Sequence, residues 1–147
     1  MFYRDTDAEK RCQELMTLLR EKEDLARILA QRQSDFVDQP FCAHLERMMA
    51  ERGLTAAQLS QICLLSRSFT YQLCSGVRQP SRDMVVRLAL AMGLDLPATQ
   101  VLLRSAQRGE LFPLVRRDAV LIHCVFRGRT LADTDDILRQ QGETPLL

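Results

Sequence analysis

Apolar positions along this chain recur at helical rather than strand spacing over most of its length. Residues 54–93 read LTAAQLSQICLLSRSFTYQLCSGVRQPSRDMVVRLALAMG. The pattern predicts two short helices joined by a tight turn, then a polar loop, then an amphipathic helix. In the second short helix, residues 67–75, each residue advances the phase by about 100°. Arg67, Ser68, Tyr71, Gln72 and Ser75 then share one arc of about 140°, and Phe69, Thr70, Leu73 and Cys74 fill the opposite arc. One arc suits a core. Every side chain on the other can hydrogen-bond, as base edges in the major groove of DNA require.

The flanking segments are predicted to be helical too. Residues 7–33 hold no Gly or Pro and are rich in Glu, Lys, Arg, Leu and Ala, which predicts one long helix capped by Asp7. Leu15, Leu18, Leu25 and Leu29 fit a and d positions of a heptad, with Lys22 at the intervening a position. That stripe serves either a short dimeric coiled coil or packing on the chain's own domain. Residues 34–40 form a polar break ending in Pro. A helix follows over residues 41–52, with Phe41, Leu45, Met48 and Met49 as its apolar face and Gly53 as its stop. Thr55 caps the next helix, which runs to about Cys63 with Leu59 and Ile62 inward. Ser66 caps residues 67–75, and Gly76 ends them. Ser81 and Asp83 open a helix to Met92 whose inward residues are Met84, Val85, Leu88 and Met92.

Asp95 starts a helix reaching about Ala106, and Pro113 interrupts the chain after it. The run AVLIHCVF at residues 119–126 fits a buried strand by composition, but its neighbours are all helical, so residues 118–126 are read as a helix ended by Gly128. Thr130 or Asp133 caps a last helix over residues 132–140, closed by Gly142.

Composition narrows the class. A chain of 147 residues with 46% hydrophobic content supports one domain with appended elements. Only 6 Gly and 5 Pro are too few for the many turns of an all-β protein, so the fold class is all-α. The net charge of +1 does not by itself announce a nucleic-acid binder. Residues 1–40 carry −2, residues 41–95 carry +2 and residues 96–147 carry +1. Lys occurs only at 10 and 22; the other cations are Arg, which forks onto phosphate or guanine in two-point contacts.

The five cysteines, at 12, 42, 63, 74 and 124, have neither metal-site nor disulfide spacing and read as small hydrophobes in a reducing cytoplasm. No signal-peptide pattern opens the sequence, and no stretch has the roughly 20 apolar residues of a membrane span. His44 and His123 stand alone on helices. Asp133, Asp135 and Asp136 sit in a helix's first turn, where the dipole favours acids. No phosphate-binding glycine loop, nucleophile elbow or HExxH motif is present, so neither an enzyme nor a cofactor is expected.

Residue detail within 54–94 adds a resemblance. Leu54-Thr55, the central Leu59, Ser66-Arg67-Ser68, the loop Gly76, Arg78, Pro80 and Ser81 in the form G-x-R-x-P-S, then Leu88-Ala89 and Ala91-Met92-Gly93-Leu94 all align without gaps. They resemble the helix-turn-helix of the XRE family, the phage-repressor and Cro-like DNA-binding domains. The resemblance covers residues 41–95, and strings such as PSRD and LFP resemble a subset of those proteins with an added C-terminal helical region. It implies a five-helix, repressor-like DNA-binding domain at residues 39–95, with a long N-terminal helix over 1–38 and a helical C-terminal extension over 96–147.

The resemblance further implies that Arg67, Ser68 and Gln72 read bases and that Tyr71 meets sugar or phosphate. Arg78 would contact phosphate, as would Arg82 and Gln58. The chain departs from the family at Ala56, where Gln is usual, and at Ser60, where Ala is usual. Leu64 stands where Gly is usual in the turn, and Phe69 is large for its place. The expected function is a sequence-specific transcriptional regulator binding double-stranded DNA as a homodimer. The alternative is a protein-interaction adaptor that retains the fold with weak or no DNA binding, its partner seated on the N-terminal helix or the C-terminal extension.

Overall fold

A computed structural model describes residues 6–36 and 38–147. Residues 1–5, the side chain of Asp7 expected to cap the first helix, and Val37 in the elbow lie outside the described residues. Among the described residues the fold is all-helical, with no strand. The helices are α1 (Thr6–Glu21), α2 (Leu25–Gln31), α3 (Phe41–Glu51), α4 (Ala56–Ile62), α5 (Arg67–Ser75), α6 (Arg82–Met92), α7 (Leu96–Ser105), α8 (Arg116–Phe126) and α9 (Leu131–Gln140). A 3-10 turn covers Gln33–Asp35.

The expected long N-terminal helix is broken in two. Helix α1 ends before residues 22–24, where the Leu25 N–H donates to the Glu23 carbonyl at 2.9 Å and the Arg27 N–H donates to Asp24 Oδ1 at 3.2 Å. A short acidic side chain that bonds its own backbone competes with the helical ladder, so Asp24 restarts the chain as a cap. Arg32 then reaches back to Glu14 at 3.2 Å and folds α2 along α1. This divides the heptad stripe. Leu15 and Leu18 are half-buried, and Ile28, off the stripe, is buried, whereas Leu25 (55%) and Leu29 (42%) are exposed. Helix α1 packs on α7, where Cys12, Leu15 and Phe36 line a groove with Gln100 and Val101.

Helix α6 is the centre of the molecule. Val85, Leu88 and Met92 are buried as the periodicity predicts, while Met84 is only partly so. Val86, Ala89 and Leu90 are buried as well, because α6 packs on α4 and α7 and also on α9 of the C-terminal segment. The AVLIHCVF run is a helix; its Leu121 and Cys124 point inward, and His123 is exposed. Thr130, rather than Asp133, caps α9 by accepting from the Asp133 N–H at 3.1 Å. Cys63 and Cys124 are buried as expected, but Cys12 is exposed on α1, away from the core.

The C-terminal segment is fastened by charge. Gln100 exchanges two hydrogen bonds of 2.8 Å with the backbone of Leu111, seating the connection between α7 and α8. Arg82 donates to Asp118 at 2.9 and 2.7 Å, and also to the carbonyls of Gly109 and Glu110. Arg117 forks onto Asp83 at 2.8 and 3.0 Å. Two neighbouring residues on α6 thus exchange opposite charges with two neighbouring residues on α8.

Candidate nucleic-acid interface

Local chemistry builds the two-helix unit. Thr55 and Gln58 form a reciprocal capping box at the start of α4: the Gln58 N–H donates to Thr55 Oγ1 at 3.2 Å, and the Thr55 N–H donates to Gln58 Oε1 at 2.9 Å. Ser66 caps α5 by accepting from the Phe69 N–H at 3.1 Å. Ile62, expected inward, is exposed: it ends α4 at the turn, and Cys63 takes the buried position beside it. Burial pushes the Cys63 thiol up to about 12, against the pull of the nearby Arg87 charge, so it stays a neutral core group.

The turn itself is left-handed. Leu64 has φ +57° and is 67% exposed. The Leu65 N–H donates to the Ser60 carbonyl at 2.9 Å across the turn, and Ser60 Oγ donates to the Ala57 carbonyl at 2.6 Å. Arg87, the one charged residue within the apolar run of α6, donates to the carbonyls of Cys63 at 2.7 Å and Leu64 at 3.3 Å. It clamps the strained turn from behind. An L side chain in this region costs about 1–2 kcal/mol. Gly would remove that cost but has the freer unfolded chain, so Leu64→Gly is expected to stabilise the protein by about 0.5–1 kcal/mol. A thermal melt checks it; an unchanged or lowered midpoint would show that the strain at Leu64 does not exceed the entropy cost of glycine.

Helix α5 carries the two faces its sequence predicts. Thr70 and Leu73 are buried; Arg67, Ser68, Tyr71 and Ser75 are exposed; Gln72 is half-buried at the edge. Gly76 ends the helix with φ +82°, and a Cβ there would meet Cys42 Sγ at 3.2 Å. Both conformation and space therefore ask for glycine. The Arg78 N–H closes the helix end on the Gln72 carbonyl at 3.1 Å.

Residues 41–102 match a protein family described as a helix-turn-helix domain. The matched stretch contains α4, the Leu64 turn and α5. No curated protein and no solved structure matches the chain. The match spans α3 to α6 and most of α7, the helix that lies beyond the 39–95 boundary drawn from sequence.

Within and beside this stretch, the residues singled out in sequence have different surroundings. Arg67, Ser68 and Tyr71 share the open face of α5, and Tyr71 is 56% exposed. Gln58 is exposed on α4, its amide oxygen held by the capping box. Ala56 lies half-buried against the core. Arg78 does not pair with Asp83, which Arg117 occupies. Its guanidinium lies 5.0 Å above the Phe69 ring and donates from Nε to Gln72 Oε1 at 2.8 Å. Arg82 is drawn away by Asp118 and two carbonyls. Arg87 and the Arg82–Asp118 and Arg117–Asp83 pairs escape sequence reasoning. The one signal was an arginine inside a helix otherwise apolar enough to be buried all round.

Proposed function

We propose that this protein is a sequence-specific regulator of transcription that binds duplex DNA through an XRE-type, repressor-like domain and acts as a homodimer in the cytoplasm. The observation that carries the reading is helix α5. It is anchored by Thr70 and Leu73 and presents Arg67, Ser68, Tyr71 and Gln72 along one side beside a capped α4. An α-helix with such a face fits the major groove, where Arg pairs with guanine and Gln with adenine. In this reading Tyr71, Gln58 and the terminal nitrogens of Arg78 contact the sugar–phosphate backbone. Arg82 supports the scaffold instead, because its guanidinium is committed to the C-terminal segment.

One module reads few base pairs, so useful affinity needs two half-sites about 34 Å apart and a dimer. The exposed pairs Met16 with Leu19 and Leu25 with Leu29, on the two arms of the N-terminal hairpin, support a role for that hairpin in the interface. Light scattering before and after deletion of residues 1–35 is expected to show a dimer become a monomer. A truncated chain that still has twice its own chain mass removes the hairpin as the dimer element.

The DNA reading is tested by selecting bound duplexes from a random pool with the full chain. A two-fold symmetric site is expected, with affinity falling steeply as salt rises, since Arg–phosphate contacts release counterions. Retention of no duplex at low salt ends the regulator reading and favours the adaptor, which the net charge of +1 also fits.

A further inference from the structure

Resting on that DNA-binding reading, we infer that Arg78 is a positioning residue that fixes which end of the Gln72 amide faces the bases, and so sets the base preference at one position of each half-site. Three contacts hold Arg78 in place. Its backbone N–H donates to the Gln72 carbonyl, its Nε donates to Gln72 Oε1 at 2.8 Å, and its guanidinium stacks over Phe69 at 5.0 Å. Phe69 and Gln72 are one helical turn apart, so the ring forms a shelf beside the amide.

The chemistry of the pair removes an ambiguity. A free Gln side chain can offer either its carbonyl oxygen or its NH2 to a base. An Arg Nε can only donate, so the amide atom facing it must be Oε1. One lone pair of Oε1 is then spent on Arg78, and the Nε2 end is the freer one for recognition. A donor suits the acceptors of the major groove: N7 and O6 of guanine, N7 of adenine, O4 of thymine. It has no favourable partner in the N4 amine of cytosine. Among the described residues the terminal nitrogens of Arg78 have no acceptor in the protein, and they remain open to phosphate. Arg78 therefore has two separable roles, charge toward the backbone and orientation of Gln72. Phe69, large for its place in the sequence, is the shelf that makes the second possible.

Arg78→Lys separates the two roles, because it keeps the charge and loses the Nε donor fixed beside the ring. The full chain is taken through random-duplex selection as wild type, Arg78→Lys, Gln72→Ala and the double variant. In wild type, cytosine is expected to be disfavoured about fivefold or more at one position per half-site. Arg78→Lys is expected to flatten that position alone, and Gln72→Ala to flatten the same one. Arg78→Lys should then add nothing in the Gln72→Ala background. A uniform loss across all sequences, or a change at a different position from that of Gln72→Ala, overturns the inference and leaves Arg78 a phosphate contact. Phe69→Leu gives an independent check: it keeps apolar volume, loses the ring, and is expected to relax the same position; an unaltered base profile counts against the shelf. If wild type retains no duplex, the DNA reading itself fails and takes this inference with it, an outcome distinct from a wild type that binds with an Arg78-independent profile.

Discussion

Asp118→Ala is expected to lower the free energy of unfolding by about 3 kcal/mol, the scale for breaking a buried ion pair from one side. Asp118 is 3% exposed on α8, yet it carries three hydrogen bonds: two from Arg82 and one of 3.0 Å from the Phe112 N–H. Truncation leaves the Arg82 guanidinium facing an emptied site and the Phe112 N–H without its acceptor. Urea titration measures the loss. A change under about 1 kcal/mol would place the pair in the class of surface contacts. Replacing both partners with apolar residues, as in Arg82→Met with Asp118→Leu, is expected to recover much of the loss, because the cost lies in the orphaned charge.

The same pair sets an acid dependence. Burial alone raises the Asp118 carboxyl. The hydrogen bonds from Arg82 and Phe112, with the charges of Arg82 and Arg117, outweigh it and hold the group below its ordinary value of 3.8. A carboxyl depressed in the folded state contributes stability above its unfolded pKa and loses it as pH falls through the folded one. Wild type is therefore expected to lose this contribution on acidification below about pH 4, and Asp118→Ala to lack that part of the slope. Parallel acid titrations of the two would argue against the pair.

Arg67→Ala is expected to weaken binding to the selected duplex by about ten- to a hundredfold, the worth of one good two-point base contact. Arg67 is exposed at the first turn of α5, so its truncation should leave the free energy of unfolding within about 0.5 kcal/mol of wild type. The loss is expected to be selective, removing preference for guanine at one position. If Arg67→Ala instead weakens all duplexes equally, Arg67 is a phosphate contact and its base-reading role is wrong.

The helices around the candidate interface were legible because their signals are short. Thr55 with Gln58, Ser66, Ser81 and Asp95 each satisfy N–H groups within three residues of themselves, and Gly76 and Gly93 adopt φ of +82° and +67° at helix ends. Such signals need nothing from the rest of the chain. The outward arc of α5 was legible for the same reason, since helical phase alone separates Leu73 from Tyr71. Expectations that depended on distant surroundings fared differently. Ile62 lies at a helix end where the turn, not the phase, decides burial. Leu25 and Leu29 kept heptad spacing, but the bonds of Asp24 turned their helix back and left both exposed.

By itself, then, the sequence determined the all-helical class, the turn between α4 and α5, and the division of α5 into a buried and an open face. Each follows from periodicity or from a cap acting within one turn. Only the tertiary structure decided the partners of the long cations. Arg82 is claimed by a carboxylate 36 residues away, Arg87 by the carbonyls of the Leu64 turn, and Arg78 by Gln72 and the Phe69 ring. A guanidinium on a flexible stem reaches several acceptors of similar worth, and the choice among them falls to whichever the packed chain brings within about 3 Å.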